Sequence, residues 1–274
     1  MTEHEYRTHP AISRSELWKI SESPEKFRYY KDNPQPSTPA LLFGQVAHKL
    51  LLEPDDFDSE FAVAPNVDKR TKAGKEVYAQ FCADNADKTI VSQDDYLLAS
   101  EMAAKVLSTP LCADLLNGQH EVPYFWTDSE TNEQCKCRVD CLTETDGGLV
   151  IIDYKTAASA ATDKFNTEIF RYGYHFQAAM YSEGVMQALG LSERPDFAFI
   201  AQEKKPPYSV NVIAITDDVM LAGLDVYREL LGIYHDCKET DWWYGYLGAF
   251  DVINEAYLPG YMSLGDRDGE GDEG

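Results

Sequence analysis

Apolar positions along this chain keep helical spacing at first and change to strand spacing near Glu121. Ile12–Ile20 has the helical pattern after a serine-rich start, and Ser23-Pro24 opens a second short helix through Phe27 and Tyr30. Pro34, Pro36 and Pro39 mark a loop, after which Leu41–Leu52 reads as a strongly apolar helix that Pro54 ends. Residues 69–116 carry further helical patterns, among them Lys75–Cys82 and Asp94–Leu107, and suggest a helical insertion or lid. Strand patterns follow at Val122–Trp126, Gln134–Leu142 and Leu149–Tyr154. Tyr174–Leu189 is a long helix with Gly190 as its C-terminal cap. Asp196–Gln202 and Tyr208–Ile215 form a second strand pair, and a last helix runs from Asp217 to about His235, with Trp242–Tyr246 packing back on it.

Strands with long helices on both sides predict an α/β or α+β fold with a mixed central sheet and a helical N-terminal subregion. No internal repeat or long linker divides the 274 residues, so one domain over residues 1–262 is the simplest organisation. Residues 263–274 are rich in acid and glycine and read as a disordered tail.

The formal net charge of −23 is unusual for a protein that binds nucleic acid, because phosphates call for a basic footprint. Any DNA contact must then be confined to a local patch or channel, with metal ions neutralising the site. The polar, charged start lacks a signal-peptide core, and no stretch approaches the roughly 20 apolar residues of a membrane span. A cytoplasmic location without membrane contact is expected. Six cysteines in this setting are reduced thiols, and Cys135, Cys137 and Cys141 have the spacing of sheet packing rather than of a zinc site.

Candidate chemistry centres on two adjacent segments, Cys135–Asp140 and Val150–Thr156, joined by the turn-like run Thr143–Gly148. As a hairpin they bring Asp140 on one strand near Asp153 and Lys155 on the next, since residues two apart share a face. Two carboxylates and an ammonium at one sheet edge could hold a divalent cation and cut a phosphodiester. His48 lies on the apolar helix with Gly44 one turn before it, leaving open space beside the imidazole. Alone, such a histidine is an ordinary core residue; beside the carboxylates it becomes a metal-ligand candidate. Gln177 and Tyr181 are likewise one turn apart and could point at a phosphate or at Lys155. Glu121 could add a carboxylate, and Arg138 shares a face with Asp140 and could meet a phosphate or pair with the acid.

In this order, the Gly44/His48 helix, Glu121, Asp140, Asp153-Tyr154-Lys155 and the Gln177/Tyr181 helix resemble the PD-(D/E)XK nuclease superfamily. The longer strings Phe43–Pro54 and Gln202–Tyr208 resemble its RecB-like branch and the exodeoxyribonuclease VIII (RecE) nuclease domains with their phage relatives. The resemblance implies a restriction-endonuclease-like core. It implies that His48, Asp140, Asp153 and the Tyr154 carbonyl bind Mg2+ or Mn2+, with Glu121 at a less fixed acidic position that could serve a second metal. Lys155 would position the attacking water and stabilise phosphate charge, and Gln177 and Tyr181 would steady the lysine or the DNA backbone. The implied activity is 5′ to 3′ resection of linear double-stranded DNA, leaving 3′ overhangs for a single-strand annealing protein and carried out by a homo-oligomeric ring. Two other readings stand beside it: single-strand or structure-specific cutting on the same fold, and a non-catalytic acidic recombination adaptor.

Overall fold

A computed structural model describes Met1, residues 3–248 and residues 253, 255 and 256. The proposed acidic tail and the domain limit at 262 lie outside the described residues. The chain begins with α1 (Glu3–Thr8), β1 (Ile12–Ser13), α2 (Arg14–Ile20), α3 (Pro24–Asp32) and α4 (Pro39–Leu52). Next come α5 (Phe57–Glu60), β2 (Phe61–Val63), α6 (Lys72–Asp84), β3 (Thr89–Val91), α7 (Gln93–Leu107) and α8 (Pro110–Leu115). The second half holds β4 (Gln119–Thr127), β5 (Gln134–Thr145), β6 (Gly148–Ala157), α9 (Thr162–Arg171), α10 (Tyr174–Leu189), β7 (Asp196–Glu203), β8 (Val210–Ala214) and α11 (Asp217–Thr240).

Local chemistry sets the early boundaries. The Ser23 hydroxyl accepts the Lys26 N–H at 3.1 Å and Thr38 accepts that of Leu41 at 3.2 Å, each followed by proline at the first helical position. Such caps contribute about 1 kcal/mol each. Ile12–Ile20 is not one helix, as its spacing suggests. The Glu16 carboxylate accepts both the N–H of Ser13 (2.9 Å) and its hydroxyl (2.7 Å), so the helix starts at Arg14 and leaves Ile12-Ser13 extended. Trp243 stacks on Phe27 with ring centroids 5.2 Å apart, and the Glu25 N–H donates to the Tyr244 carbonyl at 3.0 Å, so this segment does pack back.

The mixed sheet has β5 at its branch point. β4 runs antiparallel along one edge of β5. On the other edge β1 pairs in parallel at Cys135 and Lys136, whereas β6 pairs antiparallel from Cys141 to Thr145. Between these two contacts lies Asp140. β6 continues into a parallel pairing with β7, and β8 closes the sheet antiparallel to β7.

One face of the sheet is covered by a core containing Phe27, Phe165, Phe176 and Tyr227 from the helices and Phe197 and Phe199 from β7. The opposite face holds a second core, built from Val46 and Leu51 of α4, Met102 and Val106 of α7, and Ile152 and Tyr154 of β6. Burying side chains of this size contributes about 1.5–3 kcal/mol each. α7 is therefore a core helix rather than a lid, while α6 buries only Gly74. The parallel pair β2/β3 and helix α9 escape a reading of spacing alone: the strands have three residues each, and α9 shows only Phe165 and Ile169 as buried positions in a polar stretch.

Candidate active site

Alternation along β5 breaks at Asp140. Cys135, Cys137 and Val139 face the first core, but Cys141 faces the second and Leu142 returns to the first. Across from Asp140 on β4, Glu121 has a left-handed backbone with φ 53°. The Asp140 carboxylate takes over as acceptor for the Tyr154 N–H at 2.8 Å where the β5/β6 ladder has stopped. Its Oδ2 also lies 3.2 Å from Nδ1 of His48, which α4 delivers from the second-core side. A Cβ at Gly44 would meet no atom within 4 Å beyond its own helix backbone, so the space at Gly44, one turn before His48, is open.

His48, Glu121 and Asp140 present ligand atoms that all lie within 4.8 Å of one another. Glu121 thus joins the compact trio, and Arg138 pairs with Glu121 at 2.7 Å. Asp153 does not belong to the trio. It is 1% exposed, makes an ion pair with Lys155, and accepts a hydrogen bond from Gln177 Nε2. Gln177 therefore holds the carboxylate, where the resemblance implies that it steadies the lysine or the DNA. Tyr181 lies one turn further along α10, in electrostatic reach of Asp153 and Arg14, with its hydroxyl pushed well above the ordinary range by burial.

Burial raises the Asp153 pKa to about 6; Lys155 opposes that rise and Asp140 adds to it. For Lys155, burial pulls the pKa down, but Asp153 and Asp140 outweigh it and the net shift is upward. The ammonium therefore stays charged at neutral pH, as the neighbouring aspartates lead one to expect.

Three side chains to which the motifs alone assign no role, Gln202, the Tyr154 ring and His120, support this arrangement. The fully buried Gln202 accepts from the Tyr154 hydroxyl at 2.6 Å and donates to the Met102 carbonyl at 2.9 Å, anchoring β6 to α7. The Tyr154 ring packs edge-on to His48, 5.1 Å between centroids. His120, next to Glu121, places one ring nitrogen 2.8 Å from the Leu52 carbonyl and the other 2.7 Å from that of Leu116, tying β4 to the ends of α4 and α8. A buried glutamine in an apolar strand is the one signal of these visible in the sequence. Lys136 is not available for phosphate: its ammonium donates to the carbonyls of Tyr6 and His9, both at 2.8 Å. Cys135, Cys137 and Cys141 are free and buried. Burial raises the Cys135 pKa to about 12 and that of Cys141 to about 11, so they pack as thiols.

Among the described residues no helix is long and apolar enough to cross a membrane. None of the curated proteins matches the chain. A crystal structure from Eubacterium rectale, described as a "putative exonuclease", aligns over 97% of this chain and 98% of that one with a TM-score of 0.62 at 17% identity. That likeness establishes the fold. A second solved structure, SSO0001, overlaps 84% of this chain and 81% of its own with a TM-score of 0.36 at 13% identity. The family model for the PDDEXK-like domain of unknown function (DUF3799) matches residues 13–256. The mixed sheet, its flanking helices and this match agree that the chain belongs to that PDDEXK-like family, within the PD-(D/E)XK superfamily.

Proposed function

We propose that the protein is a divalent-metal-dependent exodeoxyribonuclease that shortens linear double-stranded DNA from its 5′ ends and leaves 3′ single-stranded overhangs. The observation that carries this reading is the convergence of His48, Glu121 and Asp140 beside the Asp153–Lys155 pair. Three carboxylates, Glu121, Asp140 and Asp153, gather there with one imidazole beside Arg138 and Lys155, so the donor set favours a hard cation. One imidazole among oxygen donors suits Mn2+ as well as Mg2+. His48, Glu121 and Asp140 would hold the ion, with Asp153 and the Tyr154 carbonyl as further oxygen donors.

A bound divalent cation supplies Lewis-acid polarisation of the phosphodiester and makes a nearby water more acidic. The protein's own residues provide the rest. Lys155 places a fixed positive charge where the phosphate gains negative charge, in a site shielded from solvent, which is where such charge is most effective. Asp153 keeps Lys155 in place, and Gln177 fixes the Asp153 carboxylate. Open space beside Gly44 gives a phosphate room to approach His48.

The acidic exterior fits a closed ring of copies in which a few cations line the channel, because a duplex responds to the local field rather than to the average charge. A single-strand annealing protein is the partner proposed to receive the overhang. Digestion of matched linear duplex, closed circular and single-stranded DNA with Mg2+ or Mn2+ tests the reading. Linear duplex is expected to be consumed and circles spared; cutting of circles or of single strands alone would replace it with a structure-specific nuclease.

A further inference from the structure

Next to the candidate active site, the turn between α9 and α10 exposes aromatic rings beside the Arg171 guanidinium. Phe170 is 45% exposed and Tyr172 43%. The Arg171 guanidinium lies 5.4 Å from the Tyr172 ring centroid, and no carboxylate among the described residues pairs with it. Arg14 donates to the Tyr172 carbonyl and sits 5.9 Å from the Tyr174 ring, in electrostatic reach of Asp153. In a chain with 47 acidic and 24 basic residues, this turn places Arg171 and the half-buried Arg14 beside its rings, with Glu168 also acting on Tyr174.

The turn is fixed and leads to the chemistry. Gly173 has φ 66°, and a Cβ there would overlap the Trp18 indole, so the backbone is seated tightly on α2. Phe170 leans on His175 at 5.0 Å between centroids. The Lys155 ammonium lies 5.2 Å from the Tyr174 ring, and Tyr174 lies 5.8 Å from Tyr172. A continuous path of rings therefore runs from the candidate catalytic lysine to exposed Tyr172.

We propose that Tyr172, flanked by Arg171 and Phe170, is a stacking shelf for unpaired bases of a DNA strand whose backbone reaches Lys155. The assignment rests on the reading of that site as a nuclease. A rigid exposed ring under a guanidinium suits a base, since every base offers a π-face and its phosphate meets the cation. Exposed Tyr29 and Trp242 lack this link to the site.

The test is fluorescence-anisotropy binding of a short labelled oligothymidylate in EDTA, and of the same oligonucleotide carrying abasic positions. Parent protein is compared with Tyr172→Ala, Tyr172→Trp and the remote control Tyr29→Ala. Tyr172→Ala is expected to weaken binding roughly tenfold, the size of one lost base–aromatic contact. Tyr172→Trp and Tyr29→Ala should bind like the parent, and the abasic oligonucleotide should not distinguish parent from Tyr172→Ala. Equal binding of the normal oligonucleotide by parent and Tyr172→Ala would overturn the shelf, as would equal weakening for normal and abasic strands. A change in oligomeric state with DNA binding intact would reassign the patch to a protein contact and overturn it too. Cleavage with Mg2+ and Mn2+ is measured separately. Cutting without Tyr172-dependent binding removes the shelf and keeps the nuclease; Tyr172-dependent binding without any cutting does the reverse.

Discussion

Lys155 and Asp153 share one buried ion pair, and their unequal protonation gives the site its dependence on pH. Below about pH 6 Asp153 takes up a proton while Lys155 keeps its own. The sign follows from a folded-state pKa raised above the unfolded value: this carboxyl's contribution to stability is complete below the unfolded pKa and is lost as pH rises through about 6. A cation added to the site must displace that proton, so Mg2+ or Mn2+ should raise the melting temperature more at about pH 7 than at about pH 5. Melting curves at both pH values check this, and an equal metal effect would contradict it. Lys155→Ala should fold in the presence of metal, with the metal-dependent shift in melting retained, while cleavage falls by roughly a hundredfold or more. Equal cutting by variant and parent would remove Lys155 from the mechanism. At this scale the shared face of Asp153 and Lys155 and the one-turn spacing of Gly44 and His48 were legible from strand parity and helix spacing, but the direction of Asp140 was not, because alternation breaks there. The place of Glu121 in the trio was not, since it depends on a left-handed backbone and on the break in alternation at Asp140.

Helix α4 links the site to the second core, and its Gly44 is where stability and function should part. Glycine inside a helix costs roughly 0.5–1 kcal/mol relative to alanine, and a methyl group here meets no atom beyond its own helix backbone. Gly44→Ala should therefore raise the melting temperature and slow DNA cleavage, because the methyl narrows the open approach one turn before His48. Paired melting and digestion assays decide the matter; a more stable variant with unchanged cleavage would mean the space is not used by DNA. The long apolar helices and the β5/β6 hairpin were readable from periodicity. Less so were β1, held apart from α2 by the Ser13–Glu16 contacts, and α9, which has few apolar positions. Distant pairings such as β1 on β5 leave no local trace in the sequence at all.

For the whole molecule, the sheet architecture brings together residues from positions 48, 121, 140, 153 and 177, which no contiguous motif contains. That gathering depends on β5 giving part of one edge to β1 and part to β6, with Asp140 in the interval. A mixed sheet between helices was foreseeable from the order of patterns, but the division of β5 was not, because it is a property of three strands at once. On the proposed nuclease reading, the net charge of −23 confines DNA contact to local cations, Lys155 and Arg171 among them. The most direct measurement is digestion of a linear duplex labelled separately at each 5′ and 3′ end, with Mg2+ or Mn2+, by the parent and by Asp153→Asn of matched circular dichroism. The parent should release the 5′ labels first and leave 3′ overhangs, and Asp153→Asn should release neither. Absence of cutting by the parent with both metals, or equal cutting by the variant, would contradict the account.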